Sequence, residues 1–204
     1  MIKADQTFDK VHDSQRTFRV LLDCMARPGK IGALQIEVEA EFISSGLLQI
    51  ALTLLDREVS FSIMAKEKEK IRRYLKWNTF SEESEACDAD YLFIDTSLTS
   101  VQIAEVMRNA KRGTLADPHQ SATFVVYIEE LFAEDIGLRL SGPGIKNQRQ
   151  VALSKHIERW LGEREMVNEE YPLGVDMIFV NSVGELLALP RTTKVERVDE
   201  QWVM

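Results

Sequence analysis

The chain has 204 residues, of which 45% are apolar and 28% are charged, and this composition is ordinary for a soluble globular protein. Its formal net charge is -8, from 33 acidic and 25 basic side chains, so it lacks the basic field of a general nucleic-acid binder. The length suits a single domain with a substantial core, and we expect residues 1–204 to form one domain without a nucleic-acid partner.

No segment has the pattern of a membrane span or a secretion signal. The longest apolar-leaning stretch, residues 42–55, contains four polar side chains and is too short to cross a bilayer. Residues 1–5 contain no apolar signal core. We therefore expect a cytoplasmic protein with no membrane partner, in which Cys24 and Cys87 are buried, reduced thiols.

The first predicted elements are two helices separated by a weak strand. Residues 14–27 carry one apolar stripe at helical spacing, and Pro28-Gly29 ends that helix; the stripe consists of Phe18, Leu21, Leu22 and Met25. Residues 31–38 are a modest strand candidate. A second helix begins at Ser44-Ser45 and is apolar on nearly every side over residues 47–55, which indicates deep burial or a subunit interface.

The next segments predict alternating strands and helices. Residues 59–63 alternate between apolar and polar side chains, which predicts a strand with one face in solvent. Residues 66–76 predict a charged helix that packs through Ile71, Tyr74 and Leu75. A long, polar surface connection is expected over residues 77–90, followed by a short buried strand at residues 91–94.

A capping box marks the next helix. Thr99 and Gln102 have the spacing at which each side chain bonds the other residue's backbone N–H, so a helix is expected to begin there. It should end by Gly113, and its predicted inward-facing side chains are Val101, Ala104, Met107 and Ala110.

Residues 113–145 are expected to contain the centre of the sheet. Residues 122–128 are almost continuously apolar and rich in β-branched side chains, which predicts a strand buried on both faces. Residues 138–141 alternate and predict a half-buried strand nearer an edge. The order of strands and helices therefore predicts an α/β fold with three layers, a mixed sheet flanked by helices.

The last third predicts a helix and a β-hairpin. The helix should run over residues 148–161, with inward side chains Val151, Ile157, Trp160 and Leu161. Residues 177–180 and 185–189 predict the two strands of the hairpin, with turn chemistry at residues 181–184. Pro190 should end the second strand because it has no N–H to donate.

The histidines do not point to a metal site or a known catalytic motif. His12, His119 and His156 have no metal-ligand spacing, and neither an HExxH motif nor a Gly-x-Ser-x-Gly elbow occurs. His119 follows Asp117-Pro118 ahead of the central strand, where a structural or exposed role is favoured over catalysis. We expect no metal, and the sequence assigns no catalytic residue.

Two corners are candidate anion sites. Gly142 and Gly144 frame a turn that could form a backbone nest, with Lys146 nearby, although a plain tight turn explains the same residues. Arg191, with Thr192 and Thr193, offers a planar cation and two hydroxyls that suit a phosphate or phosphonate.

The alternative for Arg191 is a salt bridge with Asp176 across the hairpin. Asp176 stands at the head of the first hairpin strand, where it could orient Arg191 or cap a turn. The sequence leaves the ligand role and the salt bridge equally open.

Short sequence blocks from end to end carry a family resemblance. The first is FRVLLDCMARPG at residues 18–29, and the middle blocks are Gly113-Thr114, Ala122-Thr123 and GPGI at 142–145. The most specific pair is PLGVD at residues 172–176 and LLALPRTT at residues 186–193. Together these blocks resemble the PhnH family, the H subunit of the bacterial carbon–phosphorus lyase system.

The resemblance implies a fold, partners and a role. It implies a fold like that of the pyridoxal-phosphate-dependent transferases but without the cofactor site, hence no cofactor, and a homodimer. It also implies assembly with other carbon–phosphorus lyase subunits, of the G, I, J and L types. The system forms alpha-D-ribose 1-methylphosphonate 5-triphosphate from ATP and a phosphonate, and the family's role in it is expected to be structural.

Two hypotheses follow for the function. The first is a non-catalytic subunit of the carbon–phosphorus lyase core complex in organic phosphonate catabolism. The second is a stand-alone nucleotide- or phosphonate-binding transferase that uses the corners at residues 142–146 and 191–193. A pyridoxal enzyme would need a Schiff-base lysine, for which Lys146, Lys155 and Lys194 are the candidates, and none lies in a recognisable cofactor motif.

Overall fold

A computed structural model describes residues 8–35, 38 and 40–198. Its helices are α1 (His12–Ala26), α2 (Ser45–Leu54), α3 (Lys68–Thr79), α4 (Ser100–Asn109) and α5 (Glu158–Val167), with one 3₁₀ turn at Lys155–Ile157. Its strands are β1 (Ile31–Ala33), β2 (Ser60–Ala65), β3 (Glu82–Glu83), β4 (Tyr91–Asp95), β5 (Thr123–Tyr127), β6 (Ile136–Ser141), β7 (Arg149–Leu153), β8 (Asp176–Val180), β9 (Glu185–Leu189) and β10 (Lys194–Arg197).

The main sheet has seven strands in the order β1-β9-β8-β5-β4-β2-β3. The run from β3 to β8 is parallel, and β9 pairs antiparallel with β8, so the sheet is mixed as predicted. Strand β5 lies in the middle, between β4 and β8, and Phe124, Val125 and Val126 are at most 1% exposed. This confirms the predicted central strand, whose apolar run suits burial on both faces.

Helices cover both faces of the sheet. Side chains alternate across a strand, so Val125 and Ile178 join the core beneath α1, α2 and α3, whereas Phe124 and Met177 join the core beneath α4 and α5. The three-layer α/β architecture is therefore confirmed.

Helix α2 is buried inside the chain. Ser44 is its N-cap residue, and Leu47, Leu48, Ile50 and Ala51 are all 0% exposed. The helix packs against α1 and α3 and over β4 and β5. Of the two predictions for this apolar helix, deep burial is confirmed, and α2 gives no support for a subunit interface.

Helix α1 is rotated from the predicted orientation. Its buried side contains Thr17, Leu21 and Cys24, whereas Phe18 and Leu22 are 50% and 56% exposed. A hydrogen bond of 2.9 Å from Gln49 Nε2 to Thr17 Oγ1 allows the polar side to be buried. The predicted helix is confirmed, but two of its four predicted core residues are wrong.

The segment from β2 to β4 is more buried and more structured than predicted. Strand β2 lies between β4 and β3, and Ser62 is only 6% exposed, so the predicted solvent face is wrong. The predicted surface connection at 77–90 begins as the last turn of α3 and contributes the edge strand β3. Cys24 is buried as expected, but Cys87 is exposed.

Helix α4 begins where the capping box placed it. Gln102 N donates to Thr99 Oγ1, and Thr99 N donates to the Gln102 side chain. Its buried residues include Ile103, Val106 and Met107, whereas Val101 is 76% exposed. The start is confirmed and Met107 and Ala110 are buried, but the inward position predicted for Val101 is wrong.

Strands β6, β7 and β10 form a second sheet that the sequence did not predict. Strand β6 pairs antiparallel with β7 on one side and with β10 on the other. It is half-buried as predicted, but it is the central strand of this sheet and not a strand near the edge of the main one. The predicted helix at 148–161 is wrong in its first half, which is β7, and α5 continues to Val167.

The predicted hairpin is confirmed as β8 and β9. The two strands pair antiparallel, and Asn181 stabilises the turn by accepting hydrogen bonds from the backbone N–H groups of Val183 and Glu185. The predicted strand at 31–38 is observed as β1 over three residues, and residues 36, 37 and 39 lie outside the described part. None of the described helices is long and apolar enough to cross a membrane.

Candidate functional site

Arg191 and Asp176 form an ion pair at the amino-terminal edge of the parallel strands. Asp176 begins β8, and Arg191 follows the end of β9, so the antiparallel pairing brings both to the same edge. Arg191 Nη2 lies 2.6 Å from Asp176 Oδ2, and the Arg191 backbone N–H donates to Asp176 Oδ1 at 2.7 Å. Each side chain is only 15% exposed.

The guanidinium of Arg191 also holds the loop that precedes β5. Its Nη1 donates to the Pro118 carbonyl oxygen at 2.7 Å, and its Nη2 donates to Ser121 Oγ. We call Arg191, Asp176, Pro118 and Ser121 the Arg191 corner. Because Nε, Nη1 and Nη2 all bond protein acceptors, the geometry favours the salt-bridge alternative, and a ligand role for Arg191 stays a prediction.

The turn at 142–144 packs tightly against two other segments. Gly142 has φ +127°, and a Cβ there would lie 2.8 Å from the Thr192 carbonyl oxygen. Gly144 has φ +83°, and a Cβ there would lie 2.2 Å from the Ala26 carbonyl oxygen at the end of α1. The two predicted corners therefore meet, and close packing of backbones explains both glycines.

Lys146 precedes β7, and Arg149 is the first residue of that strand. Lys146 is exposed, and an anion at the 142–144 turn remains a prediction. Arg149 Nη1 donates to the carbonyl oxygens of Arg27 and Pro28 at 3.2 Å each. A cation at a helix C-terminus is favourable, so Arg149 attaches the small sheet to the end of α1.

A cavity of about 910 Å³ lies between α5, β10 and residues 191–193. We call it the α5 pocket. Of the predicted site residues, Arg191, Thr192 and Thr193 line it, together with Pro143 from the 142–144 turn. Lys146 and Asp176 do not belong to its lining.

Arg164 lines the α5 pocket and was not predicted. It is only 4% exposed, and its Nη2 donates to the carbonyl oxygens of Pro190 and Thr193. Burial lowers the pKa of Arg164 to about 10, against the opposing effect of the Asp176 and Glu165 carboxylates. The guanidinium is therefore still charged at neutral pH.

The sequence held one signal for Arg164. The buried residues of this region recur at helical spacing, and Arg164 occupies one of these positions; they are Ile157, Trp160, Arg164 and Val167. The predicted helix ended at residue 161, so Arg164 fell outside it. A correct helix end would have placed an arginine on an apolar stripe, which is unusual enough to indicate a site.

A second cavity, of about 600 Å³, lies at the carboxyl ends of β2, β4 and β5. Connections leave β2 and β4 in opposite directions along the sheet, and α/β proteins commonly bind ligands at such a point. Asp95, which lines this cavity, accepts a hydrogen bond of 3.0 Å from Ser44 N and another from Ser44 Oγ. Its carboxylate thus fixes the start of α2.

Histidines contribute little to these cavities. His119 is exposed in the loop before β5, and His156 is exposed at the edge of the second cavity. Within residues 8–35, 38 and 40–198, no three His, Cys, Asp or Glu side chains are grouped as metal ligands would be.

Comparison with known proteins finds one family and two relatives. The family model for bacterial phosphonate metabolism protein (PhnH) matches residues 6–196. A putative C-P lyase subunit protein, HtxG, from Stutzerimonas stutzeri is 31% identical over 183 residues, which cover 89% of this chain and 85% of HtxG. The PhnH subunit of alpha-D-ribose 1-methylphosphonate 5-triphosphate synthase from Rhizobium meliloti (strain 1021) is 29% identical over 198 residues, 93% of each chain.

Proposed function

The chain belongs to the PhnH family of bacterial phosphonate metabolism proteins, and on this premise we propose that it is a subunit of a carbon–phosphorus lyase complex. The observation that carries the proposal is the family match over residues 6–196, together with relatives that are themselves named as subunits. In this role the chain supports formation of alpha-D-ribose 1-methylphosphonate 5-triphosphate from ATP and a phosphonate.

The subunit's own contribution is structural in this proposal. The arginine in the family-like block at 186–193 bonds Asp176, Pro118 and Ser121, which supports a role in holding segments together. The glycines of the 142–145 block also serve close packing, against Ala26 and Thr192. We assign no catalytic residue.

The proposal includes a homodimer and partners of the G, I, J and L types. Helix α1 supplies a candidate contact surface, because Val11, Phe18 and Leu22 are 71%, 50% and 56% exposed and share one side of the helix. Exposed apolar surface of this kind is typical of protein interfaces. We also propose a single cytoplasmic domain over residues 1–204.

The fold proposal is a relative of the pyridoxal-phosphate-dependent transferases without a bound cofactor. Its support is the three-layer α/β architecture with a mixed sheet. Lys146, Lys155 and Lys194, the candidate Schiff-base lysines, are all exposed, and only Lys194 lines the α5 pocket. Supplying pyridoxal phosphate to the purified chain tests this point, and a Schiff-base absorbance band would contradict it.

Co-purification tests the subunit proposal. The tagged chain is expressed with the G, I, J and L type subunits of its own system, and size exclusion with light scattering measures the assembly. We expect a stable complex, and a dimer when the chain is alone. A chain that elutes separately from all four subunits would contradict the proposal.

A stand-alone transferase is the second candidate, and the α5 pocket is the observation that favours it. A cavity of about 910 Å³ is large enough for a nucleotide-sized molecule. Under this alternative, the isolated chain turns over ATP with a phosphonate and needs no partner. Assays of the isolated chain and of the assembled complex under identical conditions distinguish the two candidates.

A further inference from the structure

Strand β10 has one edge with no described strand beside it. In the three-stranded sheet it pairs only with β6, because the order is β10-β6-β7. Val198 N donates to the Gly137 carbonyl oxygen at 2.9 Å, which fixes the alternation of this ladder. Successive residues of an antiparallel strand point their backbone groups to opposite sides, so Val195 and Arg197 direct their N–H and C=O groups away from β6.

This free edge of β10 faces the α5 pocket. The carbonyl oxygen of Thr193, two residues before Val195 and on the same edge, accepts a hydrogen bond of 3.0 Å from Arg164 Nη2 of α5. Every residue from 191 to 197 lines the pocket. Because side chains alternate between the two faces of a strand, an unbroken run of lining residues indicates that the pocket lies along the edge of β10 and not on one face.

The outward backbone groups of Val195 and Arg197 are unpaired in the described part of the chain. Neither residue takes part in a backbone hydrogen bond outside the β6 ladder there. An unpaired strand edge is a template for a further strand, and proteins usually cover it or interrupt it with proline or a bulge. Here the strand is regular, and a cavity of about 910 Å³ lies between its edge and α5.

The α5 wall leaves room for another backbone. Gly162 lines the pocket within α5, and a Cβ on this residue would meet nothing within 4 Å. Glycine inside a helix is destabilising relative to alanine, and its usual benefit is the close approach of a second backbone. Leu138, Leu161 and Val195 add apolar surface to the same lining.

The charges of the lining do not select a single ion. The lining contains four glutamates and four arginine or lysine side chains, and Arg197 pairs with Glu158 at 2.7 Å. Lys194 on β10 and Glu165 on α5 are exposed and form no salt bridge among the described residues. A segment that places an acidic side chain toward Lys194 and a basic one toward Glu165 is therefore complementary to both walls.

We propose that an extended segment of another subunit adds as a strand to the free edge of β10, inside the α5 pocket. Its backbone bonds the outward groups of Val195 and Arg197, and its apolar side chains contact Leu138 and Leu161. In this mode of recognition, backbone hydrogen bonds supply affinity and alternate side chains supply specificity. The inference rests on the proposed subunit role for the identity of the partner, and it adds the surface and the mode of binding.

Val195→Pro tests the edge without breaking the small sheet. Proline removes an N–H that points away from β6, and strands tolerate proline where that N–H is not used in the ladder. The variant should keep the melting temperature of the wild type within a few degrees. Its affinity for the assembled G, I, J and L type subunits, measured by fluorescence anisotropy of the labelled full-length chain, should fall by about tenfold or more.

Glu196→Pro is the matched proline control for the direction of the edge. The Glu196 N–H points toward β6, so this proline removes a bond of the ladder. We expect a clearly lower melting temperature for Glu196→Pro than for Val195→Pro. Equal melting temperatures would contradict the assignment of the free edge and overturn the proposal.

Gly162→Leu blocks the pocket from its other wall. Leucine favours the helix and projects into the free space beside Gly162, so the variant should fold and lose affinity for the partner subunits by a similar factor. Glu105→Leu is its control, because it places a leucine at an exposed position of α4 outside the pocket lining. Glu105→Leu should bind the subunits as the wild type does.

Hydrogen exchange gives a second measure of the same contact. The amides of Val195 and Arg197 should exchange rapidly in the free chain and slowly in the complex, because only the added strand bonds them. Rapid exchange of both amides in the complex would overturn the proposal.

The outcomes separate this inference from the subunit role. If the wild type does not bind the partner subunits, the subunit role fails and the inference fails with it. If the wild type binds them and both Val195→Pro and Gly162→Leu bind equally well, only the inference fails. A loss of self-association in these variants, with unchanged binding to the partner subunits, would assign the edge to a second copy of the chain and overturn the proposal.

Discussion

The Arg191 corner and the α5 pocket contain two arginines with opposite environments. Arg191 has a carboxylate partner at 2.6 Å, to which its backbone N–H also donates, and it donates to two further residues, Pro118 and Ser121, through Nη1 and Nη2. Arg164 is more deeply buried, yet among the described residues it bonds only carbonyl oxygens, and its Nε has no hydrogen-bond partner there. The segment at residues 186–193 is therefore bonded through Arg191 to Asp176, Pro118 and Ser121 on one side, and on its other side it lines the α5 pocket.

Removing the Arg191 side chain from the Arg191 corner should reduce the stability of the fold more than the other substitutions below. Arg191→Met leaves Asp176 partly buried without its counter-charge and leaves the loop before β5 without its hydrogen bonds. We expect the free energy of unfolding to fall by about 3–4 kcal/mol, measured by denaturant titration. Arg197→Met, which removes a surface pair with Glu158, should cost less than about 1 kcal/mol. Equal losses of unfolding free energy in the two variants would contradict the conclusion that the Arg191 corner holds these segments together.

Alanine substitutions at Gly144 and Gly162 should show a similar contrast, with smaller changes in stability. Gly144→Ala forces a side chain into a left-handed conformation 2.2 Å from a carbonyl oxygen, so we expect a loss of about 2–3 kcal/mol. Gly162→Ala is the control, because a Cβ on this residue of α5 meets nothing within 4 Å. Alanine there should raise stability by about 0.5–1 kcal/mol. Thermal unfolding of both variants measures the contrast, and destabilisation by Gly162→Ala would contradict an open pocket.

Neutralising Arg164 should have a small effect despite its burial. Arg164→Met removes two hydrogen bonds to carbonyl oxygens and also removes a buried charge that forms no ion pair among the described residues, and these effects oppose each other. We expect the free energy of unfolding to change by no more than about 1 kcal/mol. Denaturant titration of Arg164→Met and Arg191→Met measures both free energies of unfolding. A loss in Arg164→Met as large as that in Arg191→Met would show that Arg164 is essential to the fold.

Thr193→Val should have the smallest effect on the free protein. The hydroxyl that it removes has no hydrogen-bond partner in the part of the chain that the structure describes, and valine has nearly the same shape. Stability should stay the same or rise by up to about 1 kcal/mol, because no buried hydrogen bond is broken. Denaturant titration checks this, and a loss above about 1 kcal/mol would mean that Oγ1 is bonded within the protein.

The sequence predicted correctly those helices and strands whose pattern lies within a short stretch of the chain. The central strand, the capping box of α4 and the β8–β9 hairpin each carry their pattern within about ten residues, and all are confirmed. Strand β7 was mistaken for part of a helix although its partner β6 is the strand just before it, because Val151 was taken as part of the apolar side of the helix that follows. Strand β10 was missed because its partner is more than fifty residues away.

Side-chain environments were harder to predict than elements. The apolar run of α2 indicates burial, but a sequence does not distinguish burial within the chain from burial between chains. The Asp176–Arg191 pair was one of two open alternatives, and Pro118 and Ser121 as further partners have no local signal. Arg164 was missed through a misplaced helix end.

The most direct test of the contrast is the ¹H–¹⁵N spectrum of the arginine Nε–H groups. The resonances of Arg164 and Arg191 in the labelled wild-type chain are assigned with the lysine variants. We expect the Arg191 Nε–H proton to resonate further downfield than that of Arg164, because it is donated to the Asp176 carboxylate, whereas Arg164 Nε has no hydrogen-bond partner among the described residues. An Arg164 proton as far downfield as that of Arg191 would contradict the contrast.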